Sequence, residues 1–393
     1  MSPNPPDISE YEAPDETGVP SVTQIREPAP VPSAPEPSSA SVHDQDHDSD
    51  HDRKRGRGGL GGGLSGGPGA LGFLREAALL PVLVVILVVG AVISPVFLTT
   101  DNLVSGVGQQ VSALGVTVVG ESLILLIGGM DLSLEATYGL APMVAAWLIV
   151  PRAAFGSGLM LNPFLGILIL FAIGAAVGLI NGLLIVKARL NGFIVTLGMT
   201  VLLAGLQNGV VQGQSPYQLP QAFGFLGTEY LGKVPVSLVV AAVVFVLAGI
   251  FLRYHRTGRA IYAIGGNPEA ARAAGIRVDR VRIGVYVVGS MLAALGGLIE
   301  AGRVSSVTGD QGYQEGIIFT VFAAAVIGGV SLQGGKGRML GAASGVVLLG
   351  LVQNIINLSN APNYWQLAIN GGVILFALAL ARIVGGESSA ERA

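Results

Sequence analysis

Cysteine is absent from the 393 residues. Disulfides, cysteine-ligated zinc and iron–sulfur clusters are thereby excluded, and the redox compartment stays open. Charge is scarce too: Asp, Glu, Lys and Arg make up 12% of the chain, against about 25% in an ordinary soluble domain. Nucleotide hydrolysis has no loop to act in. A P-loop needs GxxxxGK followed by Ser or Thr, and the one near match, Gly335-Lys336, is followed by Gly337 and has Val330 where the first Gly belongs. HExxH and a Cys/His metal set are likewise missing. No catalytic residue, metal site or cofactor is read in the apolar part of the chain, which is expected not to be an enzyme. No secretory signal peptide is visible, so the first apolar run is expected to act as an uncleaved anchor.

Apolar residues, by contrast, are abundant. They form 51% of the chain, and the mean hydropathy is +0.64. Membrane residence follows before any segment is read. Residues 1–75 differ from the rest. Pro, Ser, Glu and Asp dominate as far as Asp52; Arg53, Lys54, Arg55 and Arg57 follow, then a Gly-rich stretch from Gly58 to Gly72. Such a segment buries too little apolar area to offset its ordering entropy and is read as a disordered cytoplasmic tail. His43, His47 and His51 alternate there with Asp44, Asp46, Asp48, Asp50 and Asp52. That run has metal-ligand chemistry, but its plainer reading is a solvated charged tail.

A helix that crosses a bilayer needs about 20 mostly apolar residues. Ten candidates occur, at about 77–97, 103–127, 132–150, 162–186, 192–212, 234–252, 281–301, 316–330, 339–358 and 364–382. With the N-terminus in the cytoplasm and sides alternating, only Arg152, Lys233 and Arg303 of the 22 Lys and Arg fall outside. Arg253, Arg256, Arg259, Arg272, Arg277, Arg280 and Arg282 crowd the loop between the sixth and seventh spans. The positive-inside rule then puts both termini in the cytoplasm. The expected fold is an all-α membrane protein of about ten spans in the cytoplasmic (inner) membrane. Its domain covers 76–385, and a short cytoplasmic tail follows at 386–393. Gly174, Gly178 and Gly182 form a small-residue stripe on the fourth span, and Gly341 and Gly345 another on the ninth; such stripes let two backbones approach closely.

Ionisable and amide groups inside spans are costly and suggest a route or a pairing. Glu121, Asp131, Ser133, Asn181, Asn208, Asn354 and Asn357 are the candidate lining of a solute pathway, because hydroxyl-rich solutes need donors and acceptors of this kind. The plainer reading of each amide is hydrogen bonding between helices. Glu121 is expected near the midplane and Asp131 at the inner mouth, about 15 Å apart at 1.5 Å per residue, with Asp131 placed to cap the third span. Glu300 and Arg303 are spaced to pair. Gly178-Leu-Ile-Asn181 and Gly350-Leu-Val-Gln-Asn354 lie on spans of opposite direction, the arrangement that two inverted five-span halves would give.

The loop 253–282 carries local signals of its own. Gly258, Gly265 and Gly266 are read as turns. Asn267 is a good N-cap, Pro268 a good first residue and Glu269 a favourable first-turn charge. A short helix from Pro268 to about Ala274, through Ala270 and Ala271 and closed by Gly275, is expected to project from the bundle as a plug for a partner.

This loop, together with LLIGGMDLSLEATYGLAPMVAA (125–146), NGLLIVKARLNGFIVTLGM (181–199), AAAVIGGVSLQGGKGRMLGAASG (323–345) and Asn363-Tyr364-Trp365-Gln366, resembles the ribose/xylose-type permease family of bacterial ABC importers over roughly 77–382. The resemblance implies a permease that pairs with a second permease, identical or not, in membrane lipid. It implies a cytoplasmic ABC ATPase docking on 253–282, with Gly258, Arg259, Gly265, Gly266, Asn267, Pro268, Glu269, Ala270, Ala271 and Gly275 in the coupling segment. It also implies an extracytoplasmic sugar-binding protein that delivers the solute; nucleic acid has no part. The long N-terminal tail departs from the family pattern. So does Glu121, where a neutral polar residue, often Gln, is expected. Two other readings remain: a branched-chain amino acid or nucleoside permease of the same transporter class, and a proton-coupled secondary transporter using Glu121 and Asp131.

Overall fold

The computed structural model describes residues 82–308, 311–312 and 316–359 and the single positions 368, 371, 372 and 375, all within the unit Ser65–Ala393. The tail over 1–75 with its His/Asp run, the tenth candidate span apart from those single positions, and the tail at 386–393 lie outside the described residues.

The described chain is helical. In order come α1 (Val82–Ile93), α2 (Asp101–Leu126, its first turns Asp101–Val107 wound as a π-helix), α3 (Leu134–Ile149) and α4 (Pro163–Val186). Then follow α5 (Gly192–Val211), α6 (Gln221–Thr228), a two-residue hairpin of β1 (Tyr230–Leu231) with β2 (Val234–Pro235), and α7 (Val236–Tyr254). The rest is α8 (Arg256–Gly266), α9 (Pro268–Ala273), α10 (Val278–Val304), α11 (Ile317–Ile327) and α12 (Met339–Leu358). Among the described residues six helices are long and apolar enough to cross a membrane: α2, α4, α5, α7, α10 and α12. They coincide with the second, fourth, fifth, sixth, seventh and ninth candidate spans. The first, third and eighth candidates fall on the shorter apolar helices α1, α3 and α11.

Local chemistry sets the helix starts. Asn162 caps α4, its side chain accepting from Phe164 N at 2.9 Å with Pro163 in the first turn. Asn191 caps α5 by accepting from Ile194 N. Each cap satisfies one of the backbone donors that a helix start leaves unpaired.

The helices α3 and α11 are short because each begins inside the bundle. At 16 and 11 residues they are about 24 and 16 Å long, short of a hydrocarbon core about 30 Å thick. After α2 ends, Gly128 takes a left-handed conformation (φ 73°) and Gly129 N bonds back to Ile124 O at 3.0 Å. The chain reverses there and climbs beside α2, and Asp131 N reaches Glu121 Oε1 at 3.4 Å. At the opposite end α10 closes with Ser305 (φ 54°), and the chain again turns inward, so that Gln311 Nε2 bonds Gly297 O at 3.3 Å. The two half-helices meet: Ile318 N, in the first turn of α11, donates to Glu135 Oε2, in the first turn of α3, at 3.3 Å. Irregular backbone at this depth survives because protein surrounds it.

Packing follows the same crossed plan. α2 packs on α10 and α11, and α10 packs on α2, α3 and α4, the α4–α10 face being the most extensive. The stripe Gly174, Gly178 and Gly182 lies on that face. A Cβ on Gly174 would sit 3.0 Å from Ser290 O, one on Gly182 3.1 Å from Ile283 Cα, and one on Gly178 would run into the Tyr286 carbonyl oxygen. Gly341 and Gly345 do the same for α12 against Gly328 and Ala324 of the α11 end.

Candidate functional site

Glu121, Asp131, Ser133 and Asn181 are fully buried and form one cluster between α2, the turn 127–133 and α4. Asp131 Oδ1 accepts from Ser133 N at 2.9 Å and from Ser133 Oγ at 2.6 Å. Asn181 Nδ2 donates to Ser133 Oγ at 2.7 Å and to Asp131 Oδ2 at 3.3 Å. The expected separation of Glu121 from Asp131 is therefore corrected. The distance of ten residues is real along a straight helix, but the Gly128-Gly129 turn folds the chain back and removes it. Asp131 also does not cap α3. Its carboxylate closes the turn ahead of Ser133, and α3 starts with no side-chain cap.

Two acceptors in this cluster, Glu121 Oε2 and Asn181 Oδ1, have no hydrogen-bond partner among the described residues. Tyr286 of α10, buried and hydrogen-bonded to the Met130 backbone, lies within electrostatic reach of Glu121, Asp131 and Arg282. Tyr286 and Arg282 are members the sequence did not reveal, since an aromatic in an apolar helix carries no polar signature. The cluster thus offers carboxylates and an unpaired amide oxygen for donors, such as those of a polyhydroxylated solute.

The remaining candidates lie elsewhere. Asn354 exchanges two hydrogen bonds with Asn102, at 2.9 and 3.0 Å, tying α12 to the start of α2. Asn357 is exposed and accepts from Gln353 one turn earlier. Asn208 is exposed on α5 and donates back to Ala204 O in its own helix. Two further amides matter. Gln207 Nε2 donates to Thr308 O at 3.1 Å, and Gln207 and Gln311 both lie buried where α3 and α5 meet the described residues 305–308 and 311–312. Glu300 and Arg303 pair as their spacing foretells.

The loop 253–282 holds two helices rather than one. Asn267 caps α9, accepting from Glu269 N at 2.9 Å and Ala270 N at 3.0 Å, and Gly275 (φ 82°) closes it as expected. Gly258, Gly265 and Gly266 are not turns. They lie in α8, because Gly258 and Gly265 are places where other backbone comes too close for a Cβ. Arg259 donates to Tyr254 O at 2.9 Å. Tyr262 donates its hydroxyl to Gly337 O at 2.9 Å; burial raises its pKa, against the pull of Arg338, so it keeps its proton. Ala271 is buried against the bundle, whereas Glu269 and Ala270 are exposed. Asp279 accepts from Lys187 at 3.1 Å and pairs with Arg272 at 3.5 Å, pinning α9 to the ends of α4 and α10. These groups are exposed, so each pair stabilises by no more than about 1 kcal/mol.

Residues 103–378 match the family described as branched-chain amino acid transport system / permease component. The chain is 35% identical over 312 residues to the ribose import permease protein RbsC of Escherichia coli (strain K12), covering 78% of this chain and 93% of that one. It is 35% identical over 302 residues to the protein of the same name from Bacillus subtilis (strain 168), covering 76% and 90%. To the galactose/methyl galactoside import permease protein MglC of Escherichia coli (strain K12) it is 33% identical over 321 residues, covering 79% and 95%. No solved structure matches.

Proposed function

The chain belongs to the family of branched-chain amino acid transport system / permease components, and from that premise we propose that it is the membrane-spanning subunit of an ATP-driven importer that carries a sugar, a pentose, hexose or related monosaccharide, across the cytoplasmic membrane. The similarity to ribose and galactose import permeases over more than three quarters of this chain supports the sugar. The observation that carries the mechanism is α9: a short helix, firmly capped, with Glu269 and Ala270 exposed and its other face pinned to the bundle. That is the shape of a docking element for a separate cytoplasmic ATPase. ATP hydrolysis belongs to that partner, and an extracytoplasmic binding protein delivers the solute. Replacing Ala270 by Arg is expected to abolish transport and strip the ATPase from the purified complex, with membrane insertion unchanged because the site is exposed. Unchanged transport would reduce the loop to a connector.

The reading includes ten spans with both termini cytoplasmic. Among the described residues eleven Lys and Arg gather at the end that bears α8 and α9, whereas Arg152, Lys233 and Arg303 lie at the other. That asymmetry supports a cytoplasmic α8–α9 end. In this cysteine-free chain, cysteines at Ser157, Gln218 and Ser359 should react with an impermeant maleimide from outside intact cells. Cysteines within 260–280 should react only after lysis; their labelling in intact cells would reverse the topology. The crossed packing of α2–α3 with α10–α11 supports two inverted five-span halves.

Glu121, Asp131, Ser133 and Asn181 serve in this reading as polar groups of the solute route, with Asn354 and Asn357 towards the outer end. Asn208 lies exposed on α5 between Gly205 and Gly209, and an amide facing lipid is unfavourable. A second permease against that face answers it. A proton-coupled secondary transporter rests on the same Glu121–Asp131 pair; collapsing the proton gradient at constant ATP separates the two.

A further inference from the structure

At the end of the bundle that carries α8, three stretches of backbone meet without side chains between them. Gly335 N donates to Leu126 O at 2.9 Å. A Cβ on Gly334 would lie 2.8 Å from Gly128 N and 3.0 Å from Gly265 O, and one on Gly335 2.8 Å from Gly266 N. A Cβ on Gly265 would run into both the Leu126 carbonyl oxygen and Gly335 N. One turn earlier on α8, the Tyr262 hydroxyl holds Gly337 O at 2.9 Å.

The chain on either side gives this junction its meaning. Leu126 ends α2, and the turn 127–133 that follows carries Asp131 and opens into the half-helix α3. The loop 328–338 joins the other half-helix, α11, to α12. So α8 touches the end of α2, from which the chain leads into α3, and the loop that leads away from α11, and the half-helices touch each other through Glu135 and Ile318. Side-chain contacts absorb a small displacement by changing rotamer. Backbone against backbone at this spacing does not, and close-packed interiors pass such displacements on.

We propose that Gly265 and Tyr262 are positioning residues that form a rigid joint, through which movement of the docking loop 253–282 is delivered to the half-helices α3 and α11 together. The inference rests on reading 253–282 as the ATPase dock. A docked ATPase shifts the permease only by binding one arrangement better than the other, and the joint makes the two half-helices members of one arrangement. Gly266, adjacent in sequence, offers its backbone to Gly335 but has open space where its own Cβ would be, so a side chain there leaves the joint intact.

The test uses the full permease with its co-purified ATPase in proteoliposomes. Single cysteines at Leu132 and Ile317 report the start of each half-helix through their maleimide labelling rates. In the parent protein, trapping the ATPase with ATP and vanadate should change both rates by about threefold or more, a shift of about 0.7 kcal/mol in the populations. Gly265→Ala should bind the ATPase as well as the parent but leave both rates insensitive to trapping. Tyr262→Phe, which keeps the ring and cannot fail by overpacking, should lose most of the response; Gly266→Ala should keep it. A full response in Gly265→Ala and Tyr262→Phe would overturn the joint, as would a loss confined to one half-helix. If the parent protein retains no ATPase, the dock itself fails and the joint with it, an outcome distinct from retained binding with an unimpaired response.

Discussion

Glu121→Leu is expected to lower transport about tenfold or more at normal levels of membrane-inserted protein, whereas Glu121→Gln keeps most of it. The Glu121 carboxylate is fully buried, and its Oε1 is the acceptor facing Asp131 N at 3.4 Å. Leucine fills the space but leaves that N–H without an acceptor in a medium that supplies none. An unsatisfied buried polar group costs about 1–3 kcal/mol, and about 1.4 kcal/mol already means tenfold. The penalty falls on the turn 127–133, so the loss belongs to the arrangement of Asp131, Ser133 and Asn181 rather than to insertion. Glutamine retains an acceptor of the same shape. Uptake of labelled pentoses and hexoses, normalised to permease in the membrane, decides the matter. Parent rates in Glu121→Leu would remove this residue from the solute route.

Gly178→Leu should yield no stably folded protein. Its Cβ would enter the space of the Tyr286 carbonyl, with Val287 Cα 2.6 Å away, and a leucine adds three more carbons. Both obstacles are backbone, so α4 and α10 must separate along their most extensive contact. Overpacking costs about 1–3 kcal/mol where side chains can yield, and more where they cannot. Gly284→Leu is the matched control: nothing lies within 4 Å of its Cβ position on the exposed side of α10. Size-exclusion profiles and thermal melting in mild detergent compare the two. A parent-like melt for Gly178→Leu would mean that α4 is not held against α10 by close backbone approach.

The long helices were legible because each needs only an unbroken apolar run, and the run is local. The α9 cap was legible for the same reason: Asn267, Pro268 and Gly275 act on backbone within three residues of themselves. The half-helices were not. Nothing within 132–150 or 316–330 records that α3 and α11 begin inside the bundle; that depends on Gly128-Gly129 turning the chain against α2, and on Glu135 meeting Ile318 from 183 positions away. Apolar runs read as full spans look the same whether helix or buried irregular backbone completes the crossing. Gly258 and Gly265 misled in a related way. Glycine marks a turn and a close approach equally well, and only the partner backbone, absent from the local sequence, tells them apart. Among the pathway candidates, Asn181 and Asp131 converge because a packed glycine face and a glycine turn bring them together, while Asn208 and Asn357 share their chemistry without sharing their place.

The half-helix α3 also bears on how the protein is made. Its neighbours on one side are α4 and α5, synthesised directly after it, but its inner flank rests on α10, which the ribosome delivers more than a hundred residues later. Until α10 arrives, the turn 127–133 and the Glu121 carboxylate have α4 beside them but lack the α10 wall that carries Tyr286, and lipid offers no hydrogen bonds in exchange. Insertion that keeps α2 and α3 beside the insertion machinery while α4, α5 and α7 are threaded would avoid that exposure. A nascent chain truncated before Val278 has α1 to α9 and still lacks the α10 surface on which α2, α3 and α4 pack. Such fragments are expected to turn over faster than the full chain in a pulse-chase; equal half-lives would mean that α10 is not needed to hold the earlier helices together.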